Sequence, residues 1–382
     1  MAPRFGLVAG EASGDLLAGL LLDGLRARWP GLQAVGVGGP QMAARGFQAW
    51  WPSDMLAVRG YAEVLRHYRK IVRMREQLKE RLLQHKPEVF IGVDAPDFNL
   101  ALEAGLKAQG IKTVHFVCPS VWAWRAERLQ KMPGQVDHVL CIFPFEPALL
   151  ARSGIASTYV GHPLASVIPM LPDRAAARAQ LGLQPQAQVV ALLPGSRSSE
   201  IHHLADRFFK AAALMQRALP ELQFVLPAAP GLMQRLREAQ QSHGTLKHLH
   251  ILQGQSHTAL AACDCTLVAS GTATLEAALF KRPMVIAYHM HWLSWQLTQR
   301  KRLQPWVGLP NIIAGEALVP ELLQEAATPQ ALADAVLRCL HDITAAPLQT
   351  AQLQQRFAQM HADLQRDTPT LASHAVAQVL AA

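Results

Sequence analysis

Long hydrophobic runs are missing from this chain. No apolar stretch approaches the ~18–20 residues that span a bilayer; the longest candidate, "LLAGLLLDGL", is interrupted by Asp23. The N-terminus, "MAPRFGLVAGE", enters a strand-like run at once and lacks the layout of a secretory leader, so a cytoplasmic protein is expected. Cysteine is scarce, with five in 382 residues, at 118, 141, 263, 265 and 339. They lie mostly in apolar stretches and read as reduced core thiols, and "CDC" (263–265) lacks the C-x-x-C spacing of a zinc or redox site. Several catalytic signatures are absent too. There is no Walker A loop, and "GEASGD" (10–15) and "GVGGPQM" (36–42) are not G-x-G-x-x-G, which argues against nucleotide hydrolysis by that route and weakens a dehydrogenase. No D-x-D supplies the metal bridge of many nucleotide-sugar transferases, and no G-x-S-x-G supplies a hydrolase nucleophile. Sixteen histidines offer "HLH" (248–250) and "HMH" (289–291), neither with a third ligand nearby, so no metal site is expected.

What is present is a globular composition, 50% hydrophobic and 17% charged, with a basic excess. Lys+Arg 36 against Asp+Glu 28 gives +8, which asks for an anionic partner. The charge concentrates in "RHYRKIVRMREQLKERLLQHK" (66–86) and in "HWLSWQLTQRKRLQPWV" (291–307), where three Trp flank Arg300, Lys301 and Arg302. Basic residues interleaved with Trp and Leu suit an anionic membrane surface. Each segment reads equally well as a solvated helix face over a core. Nucleic acid is not expected, since no helix-turn-helix, zinc-finger or RNP-type signature accompanies the charge.

The length suggests two domains of about 150–200 residues. Short apolar runs alternate with helical patterns, which predicts α/β architecture with parallel sheets. In the first half strands are expected at Phe5–Ala9, Ala34–Val37, Val89–Val93, Thr113–Val117, Val136–Ile142 and Thr158–Val160. The proline-rich "GHPLASVIPMLPD" (161–173) reads as a linker. The pattern then restarts, with strands at 189–194, 222–227, 248–253, 265–270 and 284–288, and the chain turns helical after about residue 329. Each half opens with a strand, a small-residue loop and a helix, "LVAGEASGDLLAGL" and "ALLPGSRSSEIHHL". Two facing, doubly wound Rossmann-like domains with a cleft at their strand C-termini are the expectation.

Three strand ends carry candidate chemistry. In "IGVDAPDFNL" (91–100) an apolar strand stops on Asp94, and Pro96 separates it from Asp97. Asp97 is placed to cap the following helix, expected at Phe98–Gln109. Asp94 has no such local duty and stands where a general base belongs. In "VASGTATLEAA" (268–278) Ser270, Gly271 and Thr272 turn the chain into a helix N-terminus, a ready anion site. There the Thr272 and Thr274 hydroxyls can donate to phosphate and Glu276 can accept from a ribose diol; an ordinary capped helix start remains the plain alternative. In "LLPGSRSSEI" (192–201) Arg197 can neutralise a diphosphate.

Ten ordered segments carry a resemblance: "LVAGEASGD", "EVL" (63–65), "VDAPDFN", "PSVWAWR" (119–125), "FPFE" (143–146), "GHPL" (161–164), "LLPGSR", "ASGTATLEA", "LPNIIAG" (309–315) and "PELLQ" (320–324). Together they resemble the lipid-A-disaccharide synthases, glycosyltransferases of the GT-B class, over essentially the whole chain. The resemblance implies condensation of UDP-2,3-diacylglucosamine with 2,3-diacylglucosamine 1-phosphate (lipid X) to a β-1,6-linked disaccharide and UDP, with inversion and without a cofactor or metal. It implies Asp94 as base; Arg197, Ser270, Gly271, Thr272, Thr274, Glu276 and Asn311 on the donor side; and Ser13, Trp122, Trp124 and Arg125 on the acceptor side. It implies an acceptor domain at 1–165, a donor domain at 166–345 and terminal helices at 346–382, packed back on the first domain or exchanged in a homodimer. A peripheral place on the inner face of the cytoplasmic membrane follows from the acylated substrates. Arg59 departs from the family pattern, standing where an apolar residue is expected. Two other readings stay open. Another UDP-GlcNAc enzyme of the same architecture, a peptidoglycan-type transferase or a 2-epimerase, should lack "PSVWAWR" and "VDAPDFN". A non-catalytic basic membrane-binding protein would show no UDP-specific stabilisation.

Overall fold

The computed structural model describes residues 3–56, 61–124, 126–241 and 246–382. Arg59 and Arg125 lie outside the described residues. The chain divides into two compact units, Met1–Pro163 with Leu364–Ala382, and Leu164–Asp363. The division falls within the proline-rich 161–173 segment, where Pro163–Val167 forms a short helix.

The first unit holds a seven-stranded sheet of β1 (Arg4–Ala9), β2 (Gln33–Gly38), β3 (Gln48–Pro52), β4 (Val89–Val93), β5 (Lys112–Phe116), β6 (His138–Cys141) and β7 (Ser157–Tyr159). Its order is β3-β2-β1-β4-β5-β6-β7 and every pair is parallel. Strands such as Val89–Val93 are buried throughout, as runs covered by helices on both faces must be. The second unit holds β8 (Val189–Leu193), β9 (Gln223–Ala228), β10 (Leu249–Gln253), β11 (Cys265–Ala269), β12 (Met284–Tyr288) and β13 (Glu321–Leu323), in the order β10-β9-β8-β11-β12-β13, again parallel. Its longest helix, Ser198–Ala218, buries Ile201, Leu204, Ala205, Phe208, Phe209, Ala212 and Met215, an i, i+3/i+4 stripe against that sheet.

The C-terminal helices part company. Helix Pro347–Leu364 lies in the second unit up to Asp363, where buried His361 accepts at Nδ1 from the Lys281 ammonium at 2.6 Å and donates from Nε2 to the Ala165 carbonyl at 2.8 Å. Helix Thr368–Ala381 returns to the first unit and packs on helix Glu11–Arg28. Gly24 sits at that contact, where a β-carbon would collide with the Pro369 carbonyl, and the Thr368 hydroxyl donates to the Val160 carbonyl at 2.8 Å. Among the described residues no helix is long and apolar enough to cross a membrane.

The basic helix Tyr61–His85 resolves as a core element from Met74 onward, since Met74, Leu78 and Leu82 are buried at i, i+4 and i+8. Arg81 stacks over Trp50 of β3, 4.2 Å from the ring centroid. The five cysteines are free thiols.

Candidate active site

Each sheet reverses its winding once. In the first unit the chain runs outward from β1 to β3, then begins again at β4 on the other side of β1. The loops after β1 and β4 consequently emerge side by side, with Ala9 paired to Val93. Open α/β sheets bind ligands at such a reversal, outside the strand C-termini. The first loop leads through Gly10 into helix Glu11–Arg28, whose opening turn carries Glu11 and exposed Ser13; the other carries Asp94. Backbone strain gathers here. Glu11 (φ 59°), Asp94 (φ 52°), Ala95 (φ 44°) and, at the end of the neighbouring β5, Val117 (φ 78°) are all left-handed, an arrangement that costs of order 1–3 kcal/mol per non-glycine residue.

Asp94 is half-buried, and its carboxylate forms no hydrogen bond or ion pair with another described residue. Its backbone is held instead. The Asp94 N–H donates to the Phe116 carbonyl at 2.8 Å, and the Asn99 amide donates to the Asp94 carbonyl at 2.8 Å and the Val93 carbonyl at 3.3 Å. A carboxylate with a fixed backbone and no partner among the described residues can accept a proton from a ligand. Asp97 is not the expected cap. The helix begins at Pro96 with Ala95 in the cap position, and Asp97 in its first turn pairs with Arg128. Proline at the helix start displaced the cap by two residues, from Asp97 to Ala95, because its missing N–H needs no acceptor there.

The aromatic acceptor-side residues face different ways. Trp122 is buried and donates its indole N–H to Glu146 Oε1 at 3.1 Å, while Glu146 Oε2 accepts from the Ile142 and Phe143 amides at 3.0 Å each. Phe143 and Phe145 stack 5.7 Å apart beside it. Trp122 therefore joins "PSVWAWR" to "FPFE" and is not itself a surface contact. Trp124 is 43% exposed. Asp15, the last residue of "GEASGD", is also turned inward, accepting from the amides of Gly39, Gln41 and Met42 at 2.8–3.1 Å. Its role as clamp for the loop after β2 was not legible locally.

The second sheet reverses between β8 and β11, and there too the predicted residues converge. The loop after β8 presents Arg197, 72% exposed at its side chain and 3.5 Å from Glu200. Glu200 also accepts from the Ser196 and Arg197 amides, which fixes the loop. The loop after β11 presents Ser270, Gly271 and Thr272 at the start of helix Thr272–Leu279, whose first amides have no intrahelical acceptor. Gly271 (φ 152°) faces open space. Not every predicted hydroxyl is available, however. Ser270 donates to the Val307 carbonyl at 2.9 Å; Thr274 donates to the Gly271 carbonyl at 2.8 Å and accepts from the Leu309 amide at 3.2 Å. Both brace the loop, and Thr272 keeps the exposed hydroxyl. Glu276 is largely covered, 3.6 Å from His257.

Asn311 is buried completely. Its amide nitrogen donates to Val319 and Glu321, and its oxygen accepts from the Val319 amide, all at 2.9–3.0 Å. Expected as a ligand contact, it is a loop lock. Glu321, which also accepts from the Val307 and Gly308 amides at 2.9 Å, completes that lock. Among the described residues no cluster of three His, Cys, Asp or Glu side chains could hold a metal. Along the outer surface, helix Trp292–Lys301 exposes Trp292, Arg300 and Lys301, and a hollow of about 600 Å³ beside it is lined by Gln296, Gln299, Arg300, Arg302, Leu303 and Gln304.

Residues 5–376 match the family described as lipid-A-disaccharide synthetase. The lipid-A-disaccharide synthase of Albidiferax ferrireducens is 68% identical over 375 residues, covering 98% of this chain and 96% of that one. Among solved structures, a putative UDP-N-acetylglucosamine 2-epimerase from Listeria monocytogenes is similar with a TM-score of 0.64, at 12% identity over 99% of this chain and 95% of that one. Acinetobacter baumannii MurG is similar with a TM-score of 0.57, at 14% identity over 100% of both chains. The structural likenesses show the fold alone, which is GT-B.

Proposed function

The chain belongs to the lipid-A-disaccharide synthetase family, and from that premise we propose how its two sheets divide the reaction. As a member it is a glycosyltransferase, joining UDP-2,3-diacylglucosamine to lipid X and releasing UDP. A relative at 68% identity across the chain disfavours a peptidoglycan-type transferase or an epimerase, whose likeness here is one of fold.

Asp94 is the base. It takes the proton of the acceptor 6-hydroxyl as that oxygen attacks the donor anomeric carbon; the bond to the UDP oxygen breaks, and the centre inverts. Positioned bases contribute ~10²–10⁴-fold in rate. Arg197 and the first amides of helix Thr272–Leu279 carry the charge that develops on UDP, with Thr272 adding a hydroxyl donor and Glu276 accepting from the ribose. Ser270, Thr274 and Asn311 hold that loop in shape. Ser13, Trp124 and Arg125 belong to the acceptor side, and Trp122, buried against Glu146, supports the segment that carries Trp124. The first unit thus serves lipid X and the second the UDP-sugar. Both substrates are acylated, and the exposed Trp292, Arg300 and Lys301 suit an anionic membrane surface on the cytoplasmic side.

The observation that carries this reading is the Asp94 carboxylate at the winding reversal of the first sheet, which has no partner among the described residues. The test is product mass spectrometry with both substrates in detergent. Wild type should form the disaccharide in EDTA, and a folded Asp94→Ala variant should lose turnover by ~10²-fold or more. Near-normal turnover in that variant would leave Asp94 as the polar end of a strand.

A further inference from the structure

Behind Asp94, on the covered face of the sheet, lies a polar cluster that no step of the reaction uses. Glu103 and His115 are both 0% exposed, with Oε1 and Nδ1 2.8 Å apart. Glu103 belongs to helix Pro96–Lys107 and His115 to β5, so the pair ties the helix that follows Asp94 to the strand beside it. Burial pushes the Glu103 carboxyl above the ordinary range. Asn99 stands on the same helix, also fully buried, and its amide nitrogen is the group that holds the Val93 and Asp94 carbonyls. Gly92 makes room for both: a β-carbon there would collide with Glu103 Oε1 and come within 2.8 Å of Asn99 Cβ. Glu103 Oε2, His115 Nε2 and Asn99 Oδ1 have no partner among the described residues. Burying three unsatisfied polar atoms costs stability that an apolar cluster of the same shape would not.

That cost finds a return at Asp94. Two successive left-handed residues, Asp94 and Ala95, persist only where surrounding groups over-determine them. We propose that Glu103, His115 and Asn99 are positioning residues: the buried pair fixes the helix, and Asn99 carried on that helix fixes the Asp94 carbonyl, so that the carboxylate points at the acceptor hydroxyl. The inference rests on Asp94 being the base. It adds that the aim of that base is set from inside the protein, by residues that touch no substrate.

The test compares Asn99→Ala, Glu103→Ala and Glu103→Gln with Asp94→Ala, measuring kcat, KM for both substrates, thermal unfolding and the thermal shift produced by UDP. Displacement of a catalytic group by about 1 Å can cost ~10²-fold in rate. Asn99→Ala and Glu103→Ala should therefore lose kcat by ~10–100-fold with both KM values within about twofold of wild type and the UDP shift retained. Glu103→Gln, which keeps an oxygen for His115, should recover most of the loss. A kcat near wild type in folded Asn99→Ala, with Asp94→Ala inactive, overturns the positioning role and leaves the base intact. KM rising in step with lost kcat, or Glu103→Gln no better than Glu103→Ala, overturns it too. Turnover retained by Asp94→Ala overturns both. If Glu103→Ala does not fold, Asn99→Ala, which leaves the pair untouched, decides the question.

Discussion

Trp122 gives its only polar hydrogen to Glu146, and both side chains are buried in one aromatic nest with Phe143, Phe145 and His162. A carboxyl in that setting is caught between opposing effects. Three N–H donors favour its charge, but burial outweighs them and lifts it to about 7. His162, in the same nest, is driven the other way by burial, to about 4.

The two shifts predict opposite pH dependences. Glu146 is raised from an ordinary value of 4.5, so its stabilising share is complete below pH 4.5 and is lost as pH rises through 7. His162 is lowered from 6.5, so its share is complete above pH 6.5 and is lost as pH falls through 4. Thermal unfolding of wild type against Glu146→Gln should show a wild-type advantage that is largest near pH 5 and shrinks toward pH 8. Against His162→Asn the advantage should be larger at pH 7 than at pH 4.5. Differences that stay constant across pH would mean that neither group changes charge in those windows.

The donor-side loop separates contact from support. Glu276, proposed above as the ribose acceptor, lies 3.6 Å from His257, whereas Asn311 spends its amide on Val319 and Glu321. Glu276→Gln should weaken the thermal shift given by UDP while leaving the melting temperature of the free protein nearly unchanged. Asn311→Ala should lower that melting temperature, since it leaves the Val319 amide and carbonyl and one Glu321 oxygen short of partners; buried groups so exposed cost about 1–3 kcal/mol each. A stable Asn311→Ala that has merely lost UDP binding would return Asn311 to the role the sequence suggested.

That contrast marks where local pattern stops being informative. The apolar run ending at Asp94 and the small-residue turns at Gly195 and Gly271 were readable because a strand's end and a helix's start depend on neighbours in sequence. Whether a polar side chain is free or already spent depends on residues brought alongside by folding. Asp15 is spent on Gly39, Gln41 and Met42, Thr274 on Leu309, and Glu103 on His115; nothing within a few positions of them says so. The strands β3 and β13 escaped for a different reason. "QAWWP" is an edge strand ending in proline and "ELL" has three residues, too short for an alternation to show.

A membrane that delivers acylated substrates, as proposed above, needs a matching face on the protein. Helix Tyr61–His85 buries Met74, Leu78 and Leu82, so the basic residues along that half are accounted for by a core helix with a solvated face. Helix Trp292–Lys301 differs: Trp292 is 63% exposed, and Leu303, just beyond it, is 52% exposed beside Arg300 and Lys301. Exposed apolar groups next to cations suit the headgroup layer, where each basic residue adds about 1 kcal/mol on an anionic leaflet. Co-sedimentation with vesicles containing phosphatidylglycerol should fall by about tenfold or more in Arg300→Glu/Lys301→Glu and weaken further with salt. Trp292→Ala should reduce binding with less dependence on salt, because it removes the apolar share. Equal binding by both variants and wild type would place the membrane contact elsewhere on the protein.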